Sequence, residues 1–130
     1  MEARLISTIL ADARVALVVG SRVYPVTAPQ GTPLPRITVQ KISAVRTYHV
    51  QGQTDLVESR VQVDCWGRSF SEAKDAARAI ITALSGYRDD FFSGVFIDGE
   101  RDFFDAPSNT SERIYRTSVD LIIWHPEAGA

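Results

Sequence analysis

Between Leu56 and Gly86 the hydrophobic period changes within a few residues, and this switch restricts the possible folds more than any other stretch. Val57, Val61, Val63 and Cys65 share one face of an extended chain, while Glu58, Arg60, Gln62 and Asp64 share the other, the pattern of a half-buried strand. From Ser69 the apolar positions become Ala73, Ala76, Ala77, Ile80, Ile81 and Leu84, which line one side of a helix with Gly86 as its stop. Ser69 and Glu72 fit a capping box, hydroxyl and carboxylate satisfying the first orphan backbone donors. A strand feeding a helix through Trp66, Gly67 and Arg68 leaves two apolar faces that a second layer must cover.

The flanking segments supply that layer. Leu5, Ile6, Ile9, Leu10, Ala13 and Leu17 form a helical stripe ending at Gly20, in which Asp12 either rides the solvent face or caps a new turn. Arg22-Val23-Tyr24 is a short extended piece closed by Pro25, and Pro29, Gly31, Pro33 and Pro35 make the next segment a loop. Ile37, Val39, Lys41, Ser43 and Val45 alternate with Thr38, Gln40, Ile42 and Ala44, a strand whose lysine suggests half exposure or a sheet edge. Arg46 to Asp55 reads as a long polar loop, and Tyr87 to Ser93 as a polar connection. Residues 94–107 read as extended, with Asp98-Gly99 either a hairpin turn or a bulge. Thr117, Val119, Leu121 and Ile123 mark a last strand that Pro126 ends. The order α-β-β-β-α-β-β predicts an α+β fold, a mainly antiparallel sheet of four to five strands packed against two helices, in one domain over 1–130.

Composition narrows the function classes. With 130 residues, 45% of them apolar and 23% charged, the chain has ordinary globular usage and length for one core. A net charge of −2 gives no general electrostatic footprint for nucleic acid or an anionic membrane. No apolar run nears the roughly 18 to 20 residues that span a bilayer, and charges interrupt the N-terminal segment, so the expectation is a soluble, cytoplasmic protein. Cys65 is the only cysteine and sits on the apolar strand face, as a packed small hydrophobe would.

The residues offer little chemistry. His49 and His125 have no Cys or His at a zinc spacing, and neither a GxSxG elbow nor a glycine-rich phosphate loop occurs. Asp98, Glu100 and Asp102 alternate, so an unbroken strand would present three carboxylates on one side; such a row binds a divalent cation or, more commonly, is a solvated strand face. Asp89-Asp90 are adjacent acids in a polar connection, where solubility is the simpler role. The expectation is therefore no enzyme, no cofactor and no metal. The surface is more distinctive: of 14 basic residues, all but Lys41 and Lys74 are arginine, the cation that interfaces favour. Arg46, Arg60, Arg113 and Arg116 are expected to point outward in company with Tyr48, Tyr115, Ile122 and Trp124. Ile42, Ile122 and Trp124 on a second sheet face call for a cover, either a helix of this chain or a neighbouring subunit.

The succession of Arg22-Val23-Tyr24-Pro25, Leu34-Pro35 before a strand, Asp64-Cys65-Trp66 ahead of the Ser-Phe-Ser-Glu-Ala helix start, and Asp120 to Trp124 resembles the tail-completion or tail-terminator family of long-tailed bacteriophages and prophage-like particles. The resemblance covers nearly the whole chain and includes no catalytic motif. It implies a structural virion protein that assembles as a ring, typically a hexamer, on the end of the tail tube. There it would stop tube polymerisation and present the surface joining the capsid. The implied partners are further copies of itself, the tail-tube protein and a head-completion or connector protein, with DNA only in transit and no membrane. Its place would be the virion tail, assembled in the host cytoplasm. A closed ring needs two unlike patches. Arg46, Tyr48, His49 and Gln51 on one segment and Asp98, Glu100 and Asp102 on the other are the residues expected at the subunit or tube interface, arginine–carboxylate pairs fixing register. The competing readings are a small ligand-binding or regulatory α+β module and, behind it, a metal-dependent enzyme.

Overall fold

A computed structural model describes residues 1–49, 52–105 and 113–127. Among them are three helices, α1 (Glu2–Ala11), α2 (Ala13–Val19) and α3 (Phe70–Leu84), and five strands, β1 (Val23–Pro25), β2 (Arg36–His49), β3 (Gly52–Gly67), β4 (Gly94–Asp105) and β5 (Ile114–Pro126). The strands form one sheet in the order β1-β2-β3-β5-β4, antiparallel except for β1, which runs parallel to β2. The fold is the α+β arrangement the patterns predict, with three helices where the sequence suggested two.

The additional helix end is the work of Asp12. Its backbone is extended (φ −82°, ψ 125°), and its carboxylate accepts the N–H groups of Arg14 (2.9 Å) and Val15 (3.4 Å), capping α2 and stopping α1. This restarts the helical phase. Val15 and Val19 are buried, whereas Leu17, expected on the apolar stripe, is 87% exposed. The Ser69 cap of α3 forms as expected, its hydroxyl accepting from the Glu72 N–H at 3.1 Å. Glu72 reaches back one residue further than a capping box requires, accepting from the Arg68 N–H at 2.9 Å. Gly67 lets the strand pass close under this turn, since a Cβ there would lie 2.6 Å from the Ala73 nitrogen.

All three helices pack on one face of the sheet. Leu5, Ile9, Val15, Val19, Ala76, Ile80 and Leu84 meet Ile37, Val39, Val61, Val63, Cys65, Val119, Leu121 and Ile123 in the main core. The connection after α3, expected to be polar, closes one end of this core: Phe91 and Phe92 are buried there. Asp89 makes that turn by accepting the N–H groups of Phe91 (2.8 Å) and Phe92 (2.7 Å) and the Tyr87 hydroxyl (2.7 Å). Among the described residues, no helix lies over the sheet's other face.

Three register shifts change which side chains share a face, one of them between Arg46 and Tyr48 near the end of β2. β2 shifts register between Lys41 and Ser43, so Ile37, Val39 and Lys41 face the helices but Ser43 and Val45 do not. Ala44 and Arg46 take the helix side instead, which corrects the expected outward placement of Arg46. β4 shifts between Ile97 and Gly99, so Asp98-Gly99 is a bulge in one long strand and not a hairpin turn. The expected loop from Arg46 to Asp55 is mostly strand, β2 continuing to His49 and β3 beginning at Gly52.

Candidate assembly interface

The bulge in β4 separates the three carboxylates that simple alternation would align. Asp98 turns to the uncovered face, where Arg60 donates to it at 2.8 Å. Glu100 and Asp102 stay on the helix side, and Lys74 of α3 reaches both, at 3.2 and 2.9 Å. The Lys74 hydrogen bond is the main reason Asp102 lies below the ordinary aspartate range; partial burial opposes it and the Thr117 hydroxyl, donating at 2.9 Å, adds to it. The same contact, led by Asp102, raises Lys74. Among the described residues, no three His, Cys, Asp or Glu side chains gather as a metal-binding group.

Arg46 lies on the rim of the helix side and holds Glu127 through Nε at 2.7 Å and an Nη at 2.8 Å. This hydrogen-bonded pairing pulls Glu127 below its ordinary value. Tyr48, further along β2, is 65% exposed. His49 ends β2, with its side chain outside the described residues, as is Gln51 altogether. The predicted interface residues therefore fall at two separate borders of the sheet, Arg46 and Tyr48 on β2 and Asp98, Glu100 and Asp102 on β4, with β3 and β5 between them.

The uncovered sheet face divides into two ends. Level with the start of β2, Asp64 accepts from Ser118 and, at 3.0 Å, from Gln62, while the Trp66 indole donates to Thr38 at 3.2 Å. The Arg116 guanidinium lies between two rings, 5.1 Å from Trp66 and 4.3 Å from Phe103. At the other end apolar side chains surround Glu58 and the Arg60–Asp98 pair. Ile42 (54% exposed), Val45 (61%) and Phe96 (51%) lie there with half-buried Ile122 and Trp124. Of the residues expected beside this face, Arg60, Arg116, Ile122 and Trp124 are on it; Tyr115 is on the helix side, tilted against Phe104 at 4.9 Å.

Phe96, Phe103 and Lys74 did not stand out in the sequence. The run Val95-Phe96-Ile97 carried the signal for Phe96, because a strand apolar at three successive positions is apolar on both faces. His125 is also placed only by tertiary contacts. It is buried, its Nε2 lies 2.7 Å from the Ser59 hydroxyl, its Nδ1 donates to the Pro126 carbonyl at 2.8 Å, and its ring stacks on Phe91. A serine with no exposure, on a histidine oriented by a main-chain carbonyl, is a packing device and not a nucleophile. Cys65 is fully buried as expected, and burial pushes its thiol far up, away from reactivity. A hollow on the helix side, about 420 Å³, is lined by Arg4, Asp89, Phe91 and neighbours, and Asp89 is committed to the turn it caps.

Fold and surface together define a small helix-backed sheet with one face that no described helix covers. The family described as tail completion protein gp17 matches residues 3–125, and the chain belongs to that family of structural tail proteins. The search of curated proteins found no match to the sequence. Among solved structures, a chain in "Virion of native gene transfer agent (GTA) particle" has a similar fold, with TM-score 0.76 and 19% identity over 97% of this chain and 94% of that one.

Proposed function

We propose that this protein, acting as one block over 1–130, closes the end of a virion tail tube as a ring of identical subunits, a hexamer, that ends tube growth and offers the surface on which the head is joined. The observation that carries the reading is the family match across residues 3–125. The molecule's own geometry supports it. A subunit of a closed ring needs two unlike patches, and the basic border with Arg46 and Tyr48 is separated from the acidic border with Asp98, Glu100 and Asp102 by the width of the sheet. We assign these residues, together with His49 and Gln51, to contacts with the neighbouring subunit or the tube. Other partners are the tail-tube protein and a head-completion protein, and assembly takes place in the host cytoplasm. DNA crosses the lumen without being held, in keeping with a net charge of −2.

Size-exclusion chromatography with light scattering, on the chain alone and with tail-tube protein, tests the reading. A ring-sized species is expected in at least one condition, and electron microscopy should show it at tube ends. A chain that stays monomeric in both overturns the proposal.

A further inference from the structure

The sheet has two borders, and each is closed over only part of its length. β1 pairs with Ile37–Val39 and stops, and among the described residues no strand pairs with the outer edge of β2 from Gln40 to Arg46. Every described residue from Gln40 to Tyr48 is exposed except half-buried Ala44, which is what a strand open at its edge shows. On β4 the cover lies at the opposite end, where Val95 donates to the Tyr87 carbonyl and accepts from the Gly86 N–H, both at 2.9 Å. Beyond the bulge, Glu100 to Phe104 are all exposed.

The main-chain groups at these open stretches are in matching phase. The Ile37 N–H donates to Arg22 (2.9 Å) and the Val39 carbonyl accepts from Val26 (2.8 Å), so alternate residues of β2 turn their polar groups outward. Carried through the bulge, that phase falls on Lys41, Ala44 and Arg46. On β4 the phase set by Val95 falls, past its bulge, on Glu100, Asp102 and Phe104. β2 and β4 are antiparallel to each other, since three antiparallel pairings separate them, and the rotation that closes a ring preserves strand direction.

We infer that subunits join border to border, the open part of β4 in one copy adding as an antiparallel strand to the open part of β2 in the next, with Glu100 and Asp102 facing Lys41 and Arg46. This rests on the ring reading above and names its joint. Charge makes the joint directional. β2 carries Arg36, Lys41 and Arg46 and no acid, with Glu127 of the C-terminal segment on Arg46, whereas β4 carries Asp98, Glu100, Asp102 and Asp105 against the single base Arg101. A two-fold pairing of β4 with β4 sets carboxylates against carboxylates, and β2 with β2 sets cations together. Only the unlike pairing brings opposite charges across on the same face. Lys74 supplies one positive charge for two carboxylates, so the acidic border still seeks a cation. On the other face, exposed Ile42 and Val45 come beside the side of β4 that carries Phe103 and Phe96.

The partial covers also fix the stagger. Phe103 is level with Arg116, Trp66 and Arg36, so the open part of β4 lies level with the part of β2 that β1 occupies. Seating it on Lys41–Arg46 slides the neighbour by about six residues, or ~20 Å. Strands tilted by roughly 35–45° impose a similar offset across five strands spaced ~4.8 Å.

Charge exchange tests the joint. Lys41→Glu with Arg46→Glu makes both borders acidic, and Glu100→Lys with Asp102→Lys makes both basic. Each double variant is expected to lose the ring peak, and an equimolar mixture to regain it as rings of alternating chains. Because Glu100 and Asp102 also hold Lys74, circular dichroism establishes that each variant is folded. A second measurement does not depend on charge. A chain carrying Ala44→Cys and Asp102→Cys, treated with an oxidant, should give a ladder of covalent multimers on a non-reducing gel, while either single cysteine gives none; buried Cys65 does not compete. Rings that survive both double reversals and yield no ladder overturn the joint while leaving the ring reading intact. A wild-type chain that is monomeric with and without tube protein fails the ring reading, and the joint with it.

Discussion

Replacing Lys74 by Met isolates the ionic contact that ties α3 to β4. Methionine keeps most of the aliphatic stem, so the change removes the ammonium and its contacts to Glu100 (3.2 Å) and Asp102 (2.9 Å). The lysine side chain is only 15% exposed, but Glu100 and Asp102 are 35% and 47% exposed, so solvent screening discounts the pair. A hydrogen bond to a charged group contributes about 1.5–3 kcal/mol when well shielded, and the screened value here is about 1–1.5 kcal/mol. For a chain of this size that lowers Tm by roughly 4–6 °C. The pH dependence supplies the sharper test. Asp102 lies below 3.8 in the folded protein, so its contribution is complete above that value and is lost as pH falls through the folded one. Lys74 is raised above 10.5, so its contribution is complete below that value and is lost as pH rises through the folded one. The wild type should therefore lead the variant by a constant margin near neutrality, and the margin should close at strongly acidic pH. Urea denaturation of both proteins across that range measures it. A margin that persists unchanged in acid would mean that packing, not charge, accounts for the difference.

Four further outcomes follow from the same contacts. Asp12→Ala removes the cap that separates α1 from α2 and should destabilise by about 1 kcal/mol in a urea titration, with some loss of helical circular dichroism. Gly67→Ala drives a Cβ to 2.6 Å from the Ala73 nitrogen; overpacking of this kind costs about 1–3 kcal/mol, and a thermal melt unchanged from wild type would contradict the close approach. Ser59→Ala leaves the buried His125 ring without its partner at 2.7 Å and should lower stability by about 1–3 kcal/mol. Phe96→Ser, on the uncovered face, should leave folding within roughly 0.5 kcal/mol of wild type yet weaken assembly, as read by light scattering; unaltered assembly would remove this face from the interface.

Local chemistry made much of this molecule legible without coordinates. The period of two from Val57 to Cys65, the helical period from Ala73 to Leu84, the Ser69 cap and the prolines after Pro25 each depend on neighbours in the chain, so the sequence carries them directly. Asp12 was readable as a cap or a solvent-facing residue, and the choice came from whether the turn after it found the core at Val15 or at Leu17. The family resemblance, too, rested on short contiguous patterns.

Contiguous residues therefore carry the type and order of the elements, apart from the break of the first helix at Asp12 and the strand character of most of residues 46–55. The tertiary structure decided which side chains meet. A bulge is one extra residue counted against a partner strand, so the shift at Lys41/Ser43 has no signature in β2 alone, and at Asp98-Gly99 only the pairing with β5 separates a bulge from a hairpin turn. Each reverses the alternation beyond it, sending Arg46 to the helix side and dividing Asp98 from Glu100 and Asp102. The two half-covered borders depend likewise on where β1 and the Gly86–Tyr87 turn come to rest, contacts set by packing across the whole sheet.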